Sequence, residues 1–164
     1  CRKRRSLLAL QAMLRVDTRE LRKGPVSTEG VVSAADPLLE GLDVALAEPL
    51  RVTGLLEPTS QESFRWRGQV EGRAVVSCRR CLTELTVPIS VSVEALFSSD
   101  PDLQDDPNAY PLPDNPAEVD VTAAVREELV FASPAYPLCR EDCAGLCPKC
   151  GADLNLGPCG CGTP

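Results

Sequence analysis

The sequence predicts an α+β protein: a mainly antiparallel β-sheet domain with one main helix and a C-terminal cysteine-rich, zinc-ribbon-like tail. Three observations predict it. Between Leu50 and Phe97, apolar and polar residues alternate in closely spaced runs, the period of half-buried antiparallel strands. Around Asp120–Phe131, Val121, Val125 and Leu129 recur at helical spacing. From Cys139 to Cys161, six thiols fall within 23 residues of a chain that has no histidine.

The elements follow in order. Residues 1–12 read as a disordered basic leader, because their apolar part is too short for an export signal and is broken by Gln11. The domain is expected to start at Met13, with a short strand over Leu14–Thr18 and a brief turn or helix stopped by Gly24-Pro25. Val26–Ala35 carries little pattern. Leu42–Leu46 and Leu50–Leu56 alternate as strands, and Pro58-Thr-Ser60 is a turn. Ser63–Arg67 and Gln69–Ser77 lead into the Cys78–Cys81 hairpin turn. Leu82–Phe97 is a long β-type run in which Val87, Ile89, Val91 and Val93 share one face, and Pro88 belongs at a bulge or an edge. This gives a β-rich domain over 13–97, an acidic Pro-rich loop over 98–119, and a helix plus metal-binding tail over 120–164 packed on the β domain. Asp120 is placed to cap the helix.

Charge narrows the function. The chain of 164 residues carries a net −7. Residues 1–23 hold eight basic and two acidic side chains, whereas residues 98–120 hold seven acids and no base. An acidic protein is a poor nonspecific nucleic-acid binder, so RNA contact needs a local basic patch. One stripe offers it: Arg65, Arg67, Arg73, Arg79 and Arg80, interleaved with Phe64 and Trp66. Strand alternation puts Arg65 and Arg67 on one face and Phe64 and Trp66 on the other, so the plainer reading is an aromatic core with solvated arginines. No apolar run is long enough to cross a bilayer. Without histidine or a phosphate-binding Gly-rich loop, no enzyme and no small-molecule substrate are expected. The protein is expected in the cytoplasm, where thiols stay reduced.

The thiols carry the chemistry. Cys147-Pro-Lys-Cys150-Gly151 has the form of a zinc knuckle, in which two intervening residues let both sulfurs converge on one ion. Cys78-Arg-Arg-Cys81 is a second such pair. With Cys139, Cys143, Cys159 and Cys161 there are ligands for one or two structural Zn²⁺ ions; an iron–sulfur cluster is the weaker alternative. One arrangement joins Cys78, Cys81, Cys147 and Cys150 on one ion and leaves Cys139, Cys143, Cys159 and Cys161 for the other. The alternative joins Cys139 and Cys143 to the upstream pair. Spacing does not choose between them, and the single residue between Cys159 and Cys161 is awkward for two ligands of one ion.

Met13-Leu-Arg-Val-Asp-Thr-Arg-Glu-Leu21, the Cys78-Arg-Arg-Cys81-Leu82 turn, and the run Pro137-Leu-Cys139, Cys143-Ala-Gly-Leu-Cys147-Pro-Lys-Cys150-Gly-Ala-Asp-Leu-Asn155 and Cys159-Gly-Cys161 together resemble the YceD family of large-ribosomal-RNA-subunit accumulation proteins. The resemblance runs from Met13 to Cys161. It implies a non-enzymatic role in the synthesis, processing or accumulation of 23S ribosomal RNA and in large-subunit biogenesis. The implied partners are the pre-ribosomal large subunit, through 23S rRNA, a ribosomal protein or another assembly factor. It also implies metal-like positions at Cys78, Cys81, Cys139, Cys143, Cys147, Cys150, Cys159 and Cys161. The competing reading is a zinc-ribbon protein–protein interaction module without an RNA role.

Overall fold

A computed structural model describes residues 14–42, 45–60, 62–103, 105–107, 109–132 and 136–161. The expected basic leader and the start at Met13 lie outside these residues. The architecture is a mixed, mainly antiparallel β-sheet with one main helix and a C-terminal cysteine cluster.

The five-stranded sheet has the order β2-β3-β4-β5-β6, formed by Val26–Val32, Ala45–Pro58, Ser63–Ser77, Glu84–Ser98 and Ala109–Pro111. Its neighbours are antiparallel except β5 and β6, which run parallel. A second, two-stranded sheet pairs β1 (Arg15–Asp17) with β7 (Glu118–Asp120). Helix α1 (Thr18–Leu21) follows β1, and α2 (Thr122–Ala132) follows β7.

Several elements differ from expectation. The weakly patterned Val26 segment is strand β2, with Thr28, Gly30 and Val32 facing inward. Gly30 breaks the apolar alternation because the Leu14 side chain occupies the space its own would need: a Cβ there would lie 3.2 Å from Leu14 Cδ2. Of the two strands expected over Leu42–Leu46 and Leu50–Leu56, Ala45–Leu46 and the whole of Leu50–Leu56 belong to one strand, β3, and Leu42 lies outside it. Register shifts between Leu46 and Arg51 accommodate Pro49, which has no amide to give to a ladder. Ser63–Ser77 is likewise one strand. Pro88 pairs with Arg73 in an unshifted register, and β6 reaches β5 only at Leu96–Ser98, so Pro88 sits at an edge rather than a bulge. Part of the acidic loop forms β6.

Period-two alternation builds the core. Phe64, Trp66, Val70 and Ala74 of β4 face Ile89, Val93, Ala95 and Phe97 of β5 inside one apolar cluster, which Val121, Ala124, Val125 and Leu129 of the α2 region also join. Trp66 is fully buried and donates its indole N–H to Thr28 Oγ1 at 2.9 Å. Its ring lies over Gly54 and Gly68, which face each other across β3 and β4. A Cβ on Gly54 would sit 2.5 Å from Trp66 Nε1, so the bulky ring requires the missing side chains. Helix α2 begins where the Asp120 carboxylate accepts the Thr122 amide at 2.9 Å, one of the orphan donors of a helix start. Among the described residues, no helix is long and apolar enough to cross a membrane.

Candidate metal centres

The turn between β4 and β5 carries Cys78 and Cys81. Ladder pairing runs to Ser77–Glu84, so the thiol pair sits at the tip of a long, rigid hairpin. The tip is closed by Cys78 N–H to Thr83 O at 2.8 Å and Leu82 N–H to Cys78 O at 2.9 Å. Leu82 has a left-handed φ of 61°, and Gly151, in the same place after Cys147-x-x-Cys150, has 73°. The matching bond, Gly151 N–H to Cys147 O, is 2.8 Å. The two Cys-x-x-Cys turns are thus built alike, although one uses leucine where glycine is the strain-free choice.

The thiols fall into two groups of four: Cys78, Cys81, Cys139 and Cys143; and Cys147, Cys150, Cys159 and Cys161. Within each group the sulfurs lie within 4.8 Å of one another. This is the arrangement in which Cys139 and Cys143 join the upstream pair; Cys147 and Cys150 are not brought to Cys78 and Cys81. Cys159 and Cys161 both belong to the second group despite their single intervening residue.

The donor sets fit a tetrahedral thiolate metal. Zn–S bonds of about 2.3 Å give a tetrahedron with edges of about 3.8 Å. The Cys78–Cys143 and Cys81–Cys139 sulfurs are 3.8 and 3.6 Å apart. Disulfide sulfurs would lie at about 2.05 Å. Backbone amides also point at the sulfurs. The Cys81 and Arg80 amides hold the Cys78 thiol down at about 6, against the opposing effect of burial, and those of Cys150 and Lys149 hold Cys147 at about 6. At Cys143 burial acts upward, but the Asn155 amide and the Gly145 N–H outweigh it and the thiol is lowered. Cys139 is pushed up to about 12, first by its hydrogen bond with Cys143 and then by burial. In the first group, then, Cys78 and Cys143 are shifted down and Cys139 up, the pattern of sulfurs that share protons, for which a divalent cation is the natural replacement.

Two residues without a thiol support the site, Asn155 and Arg80, a role that the sequence reading gave to neither. Asn155 Nδ2 donates to Cys143 Sγ at 3.5 Å, while its Oδ1 accepts the Ala144 amide and the Arg140 guanidinium, each at 2.8 Å. An Asn two residues after Asp153, which accepts the Asn155 amide at 2.9 Å, is the signal that could have found it. Arg80 donates to the Cys143 carbonyl at 2.9 Å and accepts the Leu146 amide on its own carbonyl at 3.0 Å, so it ties the hairpin to the tail.

The arginine stripe is divided. Glu57 pairs with both Arg65 and Arg67, and Glu94 lies 3.9 Å from Arg65. Arg73 is on the same outward face of β4. Arg79 stacks over the Tyr136 ring at 4.9 Å, and its amide bonds Pro137 O at 2.9 Å. Phe64 and Trp66 are buried on the opposite face.

An uncharacterized protein of Mycobacterium tuberculosis is 31% identical over 104 residues, 56% of this chain and 45% of the relative. One of Mycobacterium leprae is 29% identical over 126 residues, 72% of this chain and 56% of the relative. The chain spans about half the length of the curated relatives it matches. No solved structure matches it. The family model described as large ribosomal RNA subunit accumulation protein YceD matches residues 66–164, which include both thiol groups. On that match the chain belongs to the YceD family.

Proposed function

We propose that this protein is a non-enzymatic factor for 23S rRNA synthesis, processing or accumulation, acting in large-ribosomal-subunit biogenesis in the cytoplasm and stabilised by structural zinc. Membership of a family described as large ribosomal RNA subunit accumulation proteins is the observation that carries this reading. The two four-thiol groups support zinc as the ion, because a soft, all-sulfur, four-donor set suits it. Cys78, Cys81, Cys139 and Cys143 would hold one ion, and Cys147, Cys150, Cys159 and Cys161 the other. Such ions supply cross-links, not catalysis. In this reading the β-rich domain spans 13–97, the acidic loop 98–119 and the helix with its zinc-ribbon-like tail 120–164.

The partner is the pre-ribosomal large subunit, through 23S rRNA or through a ribosomal protein or assembly factor. Arg65, Arg67, Arg73, Arg79 and Arg80 are the candidates for RNA contact; Arg65 and Arg67 already face Glu57, Arg79 the Tyr136 ring and Arg80 the Cys143 carbonyl. The second reading, a protein-docking module, is favoured by the exposure of Phe131 at 75% and Tyr136 at 79%. Depletion of the protein lowers mature 23S relative to 16S rRNA in this account, and an unchanged ratio overturns it. Partners that stay bound after nuclease treatment support docking on protein.

A further inference from the structure

We infer that the two thiol groups are unequal metal sites: the Cys78/Cys81/Cys139/Cys143 site is a permanent clamp, and the Cys147/Cys150/Cys159/Cys161 site is exchangeable, able to give up its metal while the fold stays intact. The inference rests on the reading that both groups hold zinc.

Burial separates them first. Three of the four cysteines of the first group, Cys78, Cys81 and Cys143, are 0%, 8% and 3% exposed and form a small cluster with Leu85 and Leu146 packed against it, while the fourth, Cys139, is exposed. In the second group only Cys147 is buried; Cys159 is intermediate, and Cys150 and Cys161 are exposed. A chelator or a competing thiol therefore meets two exposed cysteines and a half-buried one at the second site, against one exposed cysteine at the first.

Connectivity separates them further. The first site joins a hairpin tip to a segment about sixty residues later, and around it run the Arg79–Pro137, Arg80–Leu146 and Arg80–Cys143 bonds together with the Asn155 bridge. Opening it means parting the tail from the sheet. The second site closes only a local loop. Cys147 N–H to Ala152 O at 2.8 Å holds one side. On the other, a Cβ at Gly151, Gly157 or Gly160 would meet nothing within 4 Å. Among the described residues no atom packs on that side of those three glycines, and the loop's further backbone ties, Leu154 N–H to Gly145 O at 2.9 Å and the Leu146–Asp153 bridge, lie within the tail, so local opening breaks few contacts and none to the sheet.

The experiment follows zinc release from the full, zinc-loaded chain to a colorimetric chelator, with Trp66 emission recorded in parallel. Trp66 is the only tryptophan and is fully buried, so it reports on the sheet alone. The expected result is two phases of one zinc each, the first on the order of tenfold faster or more, with no change in Trp66 emission. A Cys159→Ser/Cys161→Ser double variant loses the fast phase and keeps the slow one. Release in a single phase, or a fast phase that survives in the double variant, overturns the inference while leaving zinc binding in place. A chain that holds no zinc overturns both. The double variant changes no residue of the sheet and no ligand of the first site, so the test does not depend on whether a Cys143→Ser variant folds.

Discussion

The sheet and the thiol tail are stabilised by different physics. In the sheet, strands up to 15 residues long bury Trp66, Phe97, Leu50, Leu56 and Val52 almost completely against one another and against α2. Apolar burial of this kind contributes on the order of 25 cal/mol per Å² and is the sheet's main favourable term. From Tyr136 to Cys161 the only buried side chains are those of Cys143 and Cys147, while Leu156 is 89% exposed. A segment with so little apolar burial cannot offset its own conformational entropy and needs cross-links. In the proposed reading the chain places a cored body beside an extension stapled by metal, joined where Arg80 and Cys78 meet Cys143.

The largest expected effect lies in the body. Trp66→Ala should lower unfolding stability by about 3–5 kcal/mol, because it opens a cavity over Gly54 and Gly68 and strands the buried Thr28 hydroxyl. Urea titration followed by circular dichroism checks it. If the contrast holds, zinc content under native conditions stays at the wild-type value in this variant; loss of zinc in parallel with the sheet would show that the tail depends on the core.

The smallest expected effect is in the turn that joins the two. Leu82 keeps a left-handed φ of 61° while 64% of it is exposed, so its side chain returns little for the strain. Leu82→Gly should raise stability by about 1 kcal/mol, read as an increase in thermal midpoint of the zinc-bound protein. A decrease would mean that Leu82 packs on something in the folded chain that its exposure does not reveal.

What the sequence made legible follows the same division. Strand β5 is readable because it keeps period two over its whole length, β4 in two pieces because Gly68 interrupts its apolar face, and α2 because Val121, Val125 and Leu129 share a face that is buried. Strand β2 was hidden by Gly30, whose vacancy is filled by Leu14 from another element. The continuity of β3 was hidden by Pro49, which pattern alone reads as a break and bulges absorb. In the tail, the thiols were legible as ligands but their grouping was not. Spacing fixes which neighbours form a knuckle, whereas the choice of Cys139 and Cys143 over Cys147 and Cys150 for the hairpin depends on where Arg80 and Asn155 hold the chain. No local pattern encodes that.

The central claim is that two four-thiol metal sites fasten the tail. Metal content per chain, measured by elemental analysis on protein purified anaerobically without added metal, tests it most directly. Two zinc ions per chain in a colourless protein is the predicted result; no bound metal, or iron with a visible absorption band, would contradict it.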